Sequence, residues 1–307
     1  MLLLPILAAF FVGSLTAIQS RANGTLADVL GSGVQAALVS FSVGLLLLSA
    51  LVMSLRRMRQ GVMRLGYAYL SRELLWWQLA GGVFGALFVF AQSTSVPVIG
   101  VALFAVALVS GQSSASLIVD RLGLGPAGKQ AITAPRAISA ILGVTAVLVA
   151  VSGRLGDANL SPALVALCFI AGIGVAIQQA INGTVSRATR EPIVAAWVNF
   201  VVGTAVLFAG FGLALIFTGG SISALPTSPL WLYLGGFVGV TFIATAAWVV
   251  GKVGVLRLSV LAIAGQLSGS LVLDWWTTDY VDLGLVIGVL IAFAAVLVSG
   301  IKRQSIS

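Results

Sequence analysis

The sequence predicts an all-α polytopic membrane protein: ten transmembrane helices arranged as two inverted five-helix repeats. Three observations predict it. The composition is 60% hydrophobic and 8% charged, with a mean hydropathy of +1.14. Soluble domains are about 45–50% apolar and about 25% charged, and no soluble core can hide the difference. Ten apolar runs follow one another along the chain. Finally, the chain matches itself without gaps over two long stretches. A soluble enzyme, a disordered chain and a disulfide-rich secreted domain are all excluded by the first observation alone.

Apolar runs without interior charge lie near residues 2–20, 33–55, 74–95, 97–119, 137–153, 162–182, 193–217, 230–250, 254–273 and 283–301. Each is close to the length of about 20 residues that a spanning helix needs. The separators are charged or carry Pro and Gly: a basic loop Arg56–Arg72, Pro97, Gly123–Pro135, Arg154–Asp157, Gly219–Gly220 and Asp274–Asp282. The first run lacks the basic n-region of a signal peptide, and the internal repeat pairs it with an interior span, so it is read as a true helix.

Charge sets the expected orientation. With the N-terminus inside, 14 of the 16 Lys and Arg residues fall on or near the cytoplasmic side, and only Arg21 and Arg154 fall outside. That bias is the positive-inside rule, and it places both termini in the cytoplasm. The net charge of +8 is thereby explained without nucleic acid. All seven Trp residues (Trp76, Trp77, Trp197, Trp231, Trp248, Trp275 and Trp276) sit near predicted helix ends, as an interfacial belt does.

The internal match has two parts. Residues 17–44 align with 176–203 at 12 of 28 identical positions, and residues 76–120 align with 230–274 at 15 of 45. Chance in a Leu/Val/Ala-rich chain would match those residues. Here the informative identities are Gln19/Gln178, Asn23/Asn182, Gly24/Gly183, Phe41/Phe200, Trp77/Trp231, Gly81/Gly235, Gly85/Gly239, Gln112/Gln266, Ser116/Ser270 and Asp120/Asp274. The repeats are residues 1–155 and 156–307, with five spans each. Five is odd, so the second repeat enters the membrane upside down. Inverted repeats with a site near the midplane are the architecture of secondary transporters.

Polar side chains in hydrocarbon are costly and usually face the bundle interior. Gln19 and Asn23 are four residues apart and share one face of span 1, and Gln178 and Asn182 repeat the pair on span 6. One reading makes them cavity amides near opposite mouths. The other has them tie helices together, with each Asn-Gly ending its helix. The second is favoured for Asn23 and Asn182. Gln112, Ser116 and Asp120 form one stripe on span 4, and Gln266, Ser270 and Asp274 the same stripe on span 9. The glutamines are cavity candidates. The serines are read either as cavity hydroxyls or as bonded to their own turns. Asp120 and Asp274 mark helix ends at water and are the candidates for ion coupling. Asn199 on span 7 is read as an interhelical hydrogen bond, and the paired Gly81-Gly82-x-x-Gly85 and Gly235-Gly236-x-x-Gly239 as tight helix crossings.

Several chemistries are missing. There is no histidine and a single cysteine, Cys168, so imidazole or thiolate metal sites and an intrachain disulfide are excluded. No phosphate-binding Gly-Lys loop is present. All eight acids lie at or beyond predicted helix ends. No catalytic residue, metal site or cofactor is expected.

The motif set GxxxxxQxxxN from Gly13, AIQQAINGT in the second half, paired GGxxG spans and paired GQxxxSxxxD spans resembles the drug/metabolite transporter (DMT) superfamily, and within it the YdcZ-like branch in a fused ten-helix form. The resemblance implies a bacterial inner-membrane protein with a central cavity walled by spans 1, 3, 4, 6, 8 and 9, with 5 and 10 peripheral. Small multidrug exporters of that superfamily exchange protons for cations on a Glu in span 1. Spans 1 and 6 here carry no acid, so this chain departs from that pattern. The expected function is passage of a small metabolite or drug-like solute by alternating access, with a neutral or zwitterionic cargo favoured. The alternatives are a flippase for a lipid-linked molecule and a membrane scaffold without transport. The expected partners are the substrate and the lipid bilayer, with a homodimer left open.

Overall fold

A computed structural model describes residues 3–125, 128–129, 131–152, 161–218, 221–253, 255–278 and 283–299. The elements are α1 Leu3–Leu30, α2 Gly33–Ser54, α3 Arg56–Leu70, α4 Gly81–Ile99, α5 Val101–Leu122, α6 Ala134–Ser152, α7 Pro162–Thr189, α8 Pro192–Thr218, α9 Leu234–Val253, α10 Val255–Thr278 and α11 Leu283–Ser299. Short 3-10 turns at Trp76–Leu79 and Leu230–Tyr233 precede α4 and α9 at equivalent points of the internal match. No strand occurs among the described residues.

The protein is an integral membrane protein. Six described helices are long and apolar enough to span: Leu3–Leu30, Gly33–Ser54, Trp76–Ile99, Val101–Val119, Pro162–Thr189 and Pro192–Phe217. Shorter apolar stretches lie at Ala137–Ala150, Leu230–Phe242 and Leu283–Ala295. Large side chains such as Leu46, Leu148, Phe208 and Ile216 are exposed on helix faces. Water would not tolerate so broad an apolar coat, whereas hydrocarbon does.

Two expectations are corrected. The Asn-Gly pairs do not end their helices: α1 runs on to Leu30 and α7 to Thr189. In α1 the polar stretch after Gln19 turns Ser20, Asn23, Gly24, Leu26 and Ala27 inward, so interior packing carries the helix through it. Gly31 (φ 64) then supplies the left-handed residue that closes α1, and Ser32 caps α2 by accepting from the Gln35 amide. The expected basic loop Arg56–Arg72 is largely the helix α3. It buries Met58, Gly61 and Ala68, and Arg57 forms an ion pair with Glu191 at the start of α8.

The core is built around α5, whose residues Val101–Val109 are almost wholly buried. Contacts elsewhere recur in pairs that exchange the two halves. A Cβ on Gly111 would collide with the Phe169 carbonyl of α7, and one on Gly265 with the Phe10 carbonyl of α1. Gly172 meets the Leu108 carbonyl as Gly13 meets that of Ala262. Gly82 lies on the Asn199 backbone as Gly236 lies on that of Ser40. At the centre, Phe41 of α2 stacks on Phe200 of α8, its own counterpart in the internal match, with ring centroids 4.7 Å apart and planes at 30°. α6 and α11, the last helix of each half, also pack on each other.

These crossings are driven by close backbone approach, because lipid offers no hydrophobic drive between helices. Gly172→Val is therefore expected to lower stability by about 1–3 kcal/mol, the usual cost of overpacking. Thermal unfolding in detergent measures it, and an unchanged melt would refute the close crossing of α5 and α7.

Candidate functional site

Polar side chains gather at three places between the helices. The first is a buried seam between α1 and α4. Gln92 Nε2 donates to Ser20 Oγ at 2.7 Å, and Asn23 Nδ2 donates to Gln92 Oε1 at 2.6 Å. All three side chains are buried. Asn23 Oδ1 also lies against Gly235 of α9, beside Ser40. Gln19 is buried on α1 one position before the seam.

The second cluster occupies the equivalent place in the other half. Asn199 Nδ2 of α8 donates to Asn182 Oδ1 of α7 at 3.4 Å, the interhelical bond expected of Asn199. A Cβ on Gly85 would lie 2.7 Å from both Gln178 Nε2 and Asn199 Oδ1, so α4 presents backbone to these amides. Asn182 Oδ1 faces Gly81 as Asn23 Oδ1 faces Gly235. The third is an amide pair in a more open setting. Gln112 Nε2 of α5 donates to Gln179 Oε1 of α7 at 3.2 Å. Gln112, Gln178 and Gln266 are half-buried, and Gln179 is exposed.

Lower on the two stripes, the serines bond to their own turns. Ser116 Oγ donates to the Ser113 carbonyl and Ser270 Oγ to that of Leu267, each within its own turn. Asp274 is not at water. Its carboxylate accepts from the Val101 amide at 2.9 Å and the Ala102 amide at 2.7 Å, and the side chain is buried. The cause is the helix break at Gly100 (φ 81), which starts α5 inside the bundle and leaves its first amides without intrahelical acceptors. A carboxylate from α10 satisfies them and favours the positive end of the helix dipole. The Asp120 side chain lies outside the described residues. Among the described residues no group of His, Cys, Asp and Glu is arranged to hold a metal.

The family described as "Putative inner membrane exporter, YdcZ" matches residues 4–149 and 163–302, in two parts that divide the chain near its middle. The chain belongs to the YdcZ family. That membership supports a multi-pass inner-membrane protein and, in general terms, a membrane transporter. A solved structure described only as a crystal structure of a protein is 18% identical, covers 97% of this chain and 95% of its own, and superposes with a TM-score of 0.56, which supports the fold. No curated protein matches.

In this YdcZ-family chain the residues that sequence reasoning missed are Ser20, Gln92 and Gln179. Gln92 opens the run Gln92-Ser93-Thr94-Ser95 in the middle of an apolar span, a polar island that was there to be read. Its equivalents in the second half are Ala246, Ala247, Trp248 and Val249, so the repeat comparison passes over it. Asp274→Ala should cost about 2 kcal/mol of stability by leaving two buried amides unsatisfied. Asp274→Asn should cost less, because its amide oxygen still accepts one bond. Equal melting of all three proteins would contradict the capping role.

Proposed function

We propose that the protein is a secondary transporter that moves a small neutral or zwitterionic solute by alternating access between two inverted halves of five spans each. The pairwise exchange of contacts carries this reading. Phe41 on Phe200, Gly111 on Phe169 with Gly265 on Phe10, and Gly82 on Asn199 with Gly236 on Ser40 are what two copies related by a twofold produce. With five spans per copy, that twofold lies in the membrane plane. Both termini are then cytoplasmic, and α3 with its arginines is inside. Membership of an exporter family supports the same reading.

The exchange is imperfect, and the imperfection suits an end state of a transport cycle. α1 is held to α4 by the Ser20–Gln92–Asn23 chain, whereas α7 and α9 make no comparable contact among the described residues. Ala246 stands where a second Gln92 would be needed. We read the half with the seam as the closed one, with the amides Gln178, Gln179 and Gln112 on the other side. In this reading Gln112 and Gln266, with Gln19 and Gln178, supply the hydrogen-bonding wall of the path. Asn23, Asn182 and Asn199 hold the helices, and Asp274 positions α5. Neutral amides without a buried cation partner fit an uncharged or zwitterionic cargo.

Gln112→Ala combined with Gln266→Ala is expected to reduce export at least tenfold, while insertion and melting stay as in the parent protein. Efflux of a panel of neutral metabolites from proteoliposomes measures it. Undiminished transport in a stably inserted double variant would place the path elsewhere.

A further inference from the structure

Among the described residues an open cleft lies away from all the predicted amides, where α3 and the chain leading to the Trp76–Leu79 turn meet the end of α7. It encloses about 480 Å³ and is lined by Arg64, Tyr67, Ser71, Glu73, Arg187 and Arg190, with Ala68 and Ala188 as its apolar wall. The lining thus carries three arginines and one glutamate. Arg64 spends one of its N–H groups on the Thr189 carbonyl at 3.0 Å, which leaves the rest of its fork available. Arg187 and Arg190 are exposed, and Arg190 is held by its left-handed backbone (φ 57) at the end of α7.

The surroundings fix the depth of this cleft. Trp76, 73% exposed beside it, marks the interface between hydrocarbon and headgroups. α3 carries Met63, Tyr67 and Leu70, which are 61%, 70% and 80% exposed and share one face at helical spacing. It also carries Arg56, Arg57 and Arg59. An amphipathic helix with apolar and basic residues so arranged lies in the headgroup layer. A cationic pocket at that depth, open beside exposed apolar side chains, offers bidentate donors for a phosphate and a lipid contact for the chains below it.

We propose that this cleft is a headgroup site for one anionic phospholipid, with Arg64, Arg187 and Arg190 on the phosphate and Tyr67 and Ser71 at the headgroup hydroxyls. The site rests on the membrane assignment and is independent of the transport reading. It would clamp α3 to α7, next to the Arg57–Glu191 ion pair that fixes α3 to α8.

The test uses the purified full chain in a neutral detergent. Binding of phosphatidylglycerol, phosphatidylcholine and water-soluble glycerol phosphate is followed by native mass spectrometry and by thermal stabilisation. Phosphatidylglycerol should bind with a saturable stoichiometry of one and raise the melting temperature. The other two should not. Arg187→Gln with Arg190→Gln should weaken phosphatidylglycerol binding roughly thirtyfold, as expected for two basic residues beside an anionic headgroup. Arg56→Gln with Arg59→Gln removes the same charge outside the cleft and should leave the affinity within about twofold. Arg190→Gln alone, at an exposed position, repeats the test with a smaller loss should the double variant fold poorly. Equal losses from the two double variants, or equal binding of the two lipids, would overturn the proposal. Glycerol phosphate binding as tightly as phosphatidylglycerol would also overturn it, in favour of a site for a soluble phosphate compound.

Discussion

Phe41 stacks on Phe200, and that contact organises the rest. The two residues occupy the same place in the internal match, so each packs on its own counterpart. Self-pairing of equivalent residues happens where an exchange axis passes. Around it the constraint is steric rather than hydrophobic. Gly44 makes room for the Phe200 ring and Gly203 for that of Phe41, because any side chain there would overlap the partner ring. Further out, Gly13, Gly111, Gly172 and Gly265 let α1 meet α10 and α5 meet α7 at backbone distance. In a bilayer, where apolar surface has no preference for protein over lipid, such close approach is the main source of helix association.

Polar groups sit on top of this frame in two kinds of setting. Buried ones lock helices together: the Ser20–Gln92–Asn23 chain, and Asp274 on the opening amides of α5. Others, such as Gln112, Gln178 and Gln266, are half-buried, the setting that the proposed path requires. In the transport reading proposed above, the Ser20–Gln92–Asn23 chain, which the second half lacks the glutamine to repeat at Ala246, favours one end state, and small differential contacts decide which face is open.

Much of this was legible in the sequence. Apolar runs give the membrane helices, and the two gapless matches point to equivalent positions, since Gly, Gln, Asn and Phe identities are improbable in a Leu/Val/Ala background. Boundaries were less legible. Polarity after Gln19 reads as the end of a span, yet the residues that follow are polar because they face other helices, and α1 continues for a full ten residues beyond Ser20. Likewise α3 reads as a loop because it is rich in arginine, although Met58, Gly61 and Ala68 recur at the spacing of a helix that buries one edge. Asp274 reads as an acid at the water surface. Its acceptor role depends on α5 starting inside the bundle, and that is set by Gly100 far away in the chain. Tertiary partners of this kind leave no local pattern.

The central claim is inversion, and topology mapping tests it most directly. Asp28 and Arg187 are equivalent positions near the ends of α1 and α7, and both are exposed. Each is replaced by cysteine in turn in a Cys168→Ser background, and intact cells are treated with a membrane-impermeant maleimide. Inversion predicts that Asp28→Cys is labelled from outside and that Arg187→Cys is labelled only after permeabilisation. Labelling of both from the same side would contradict it.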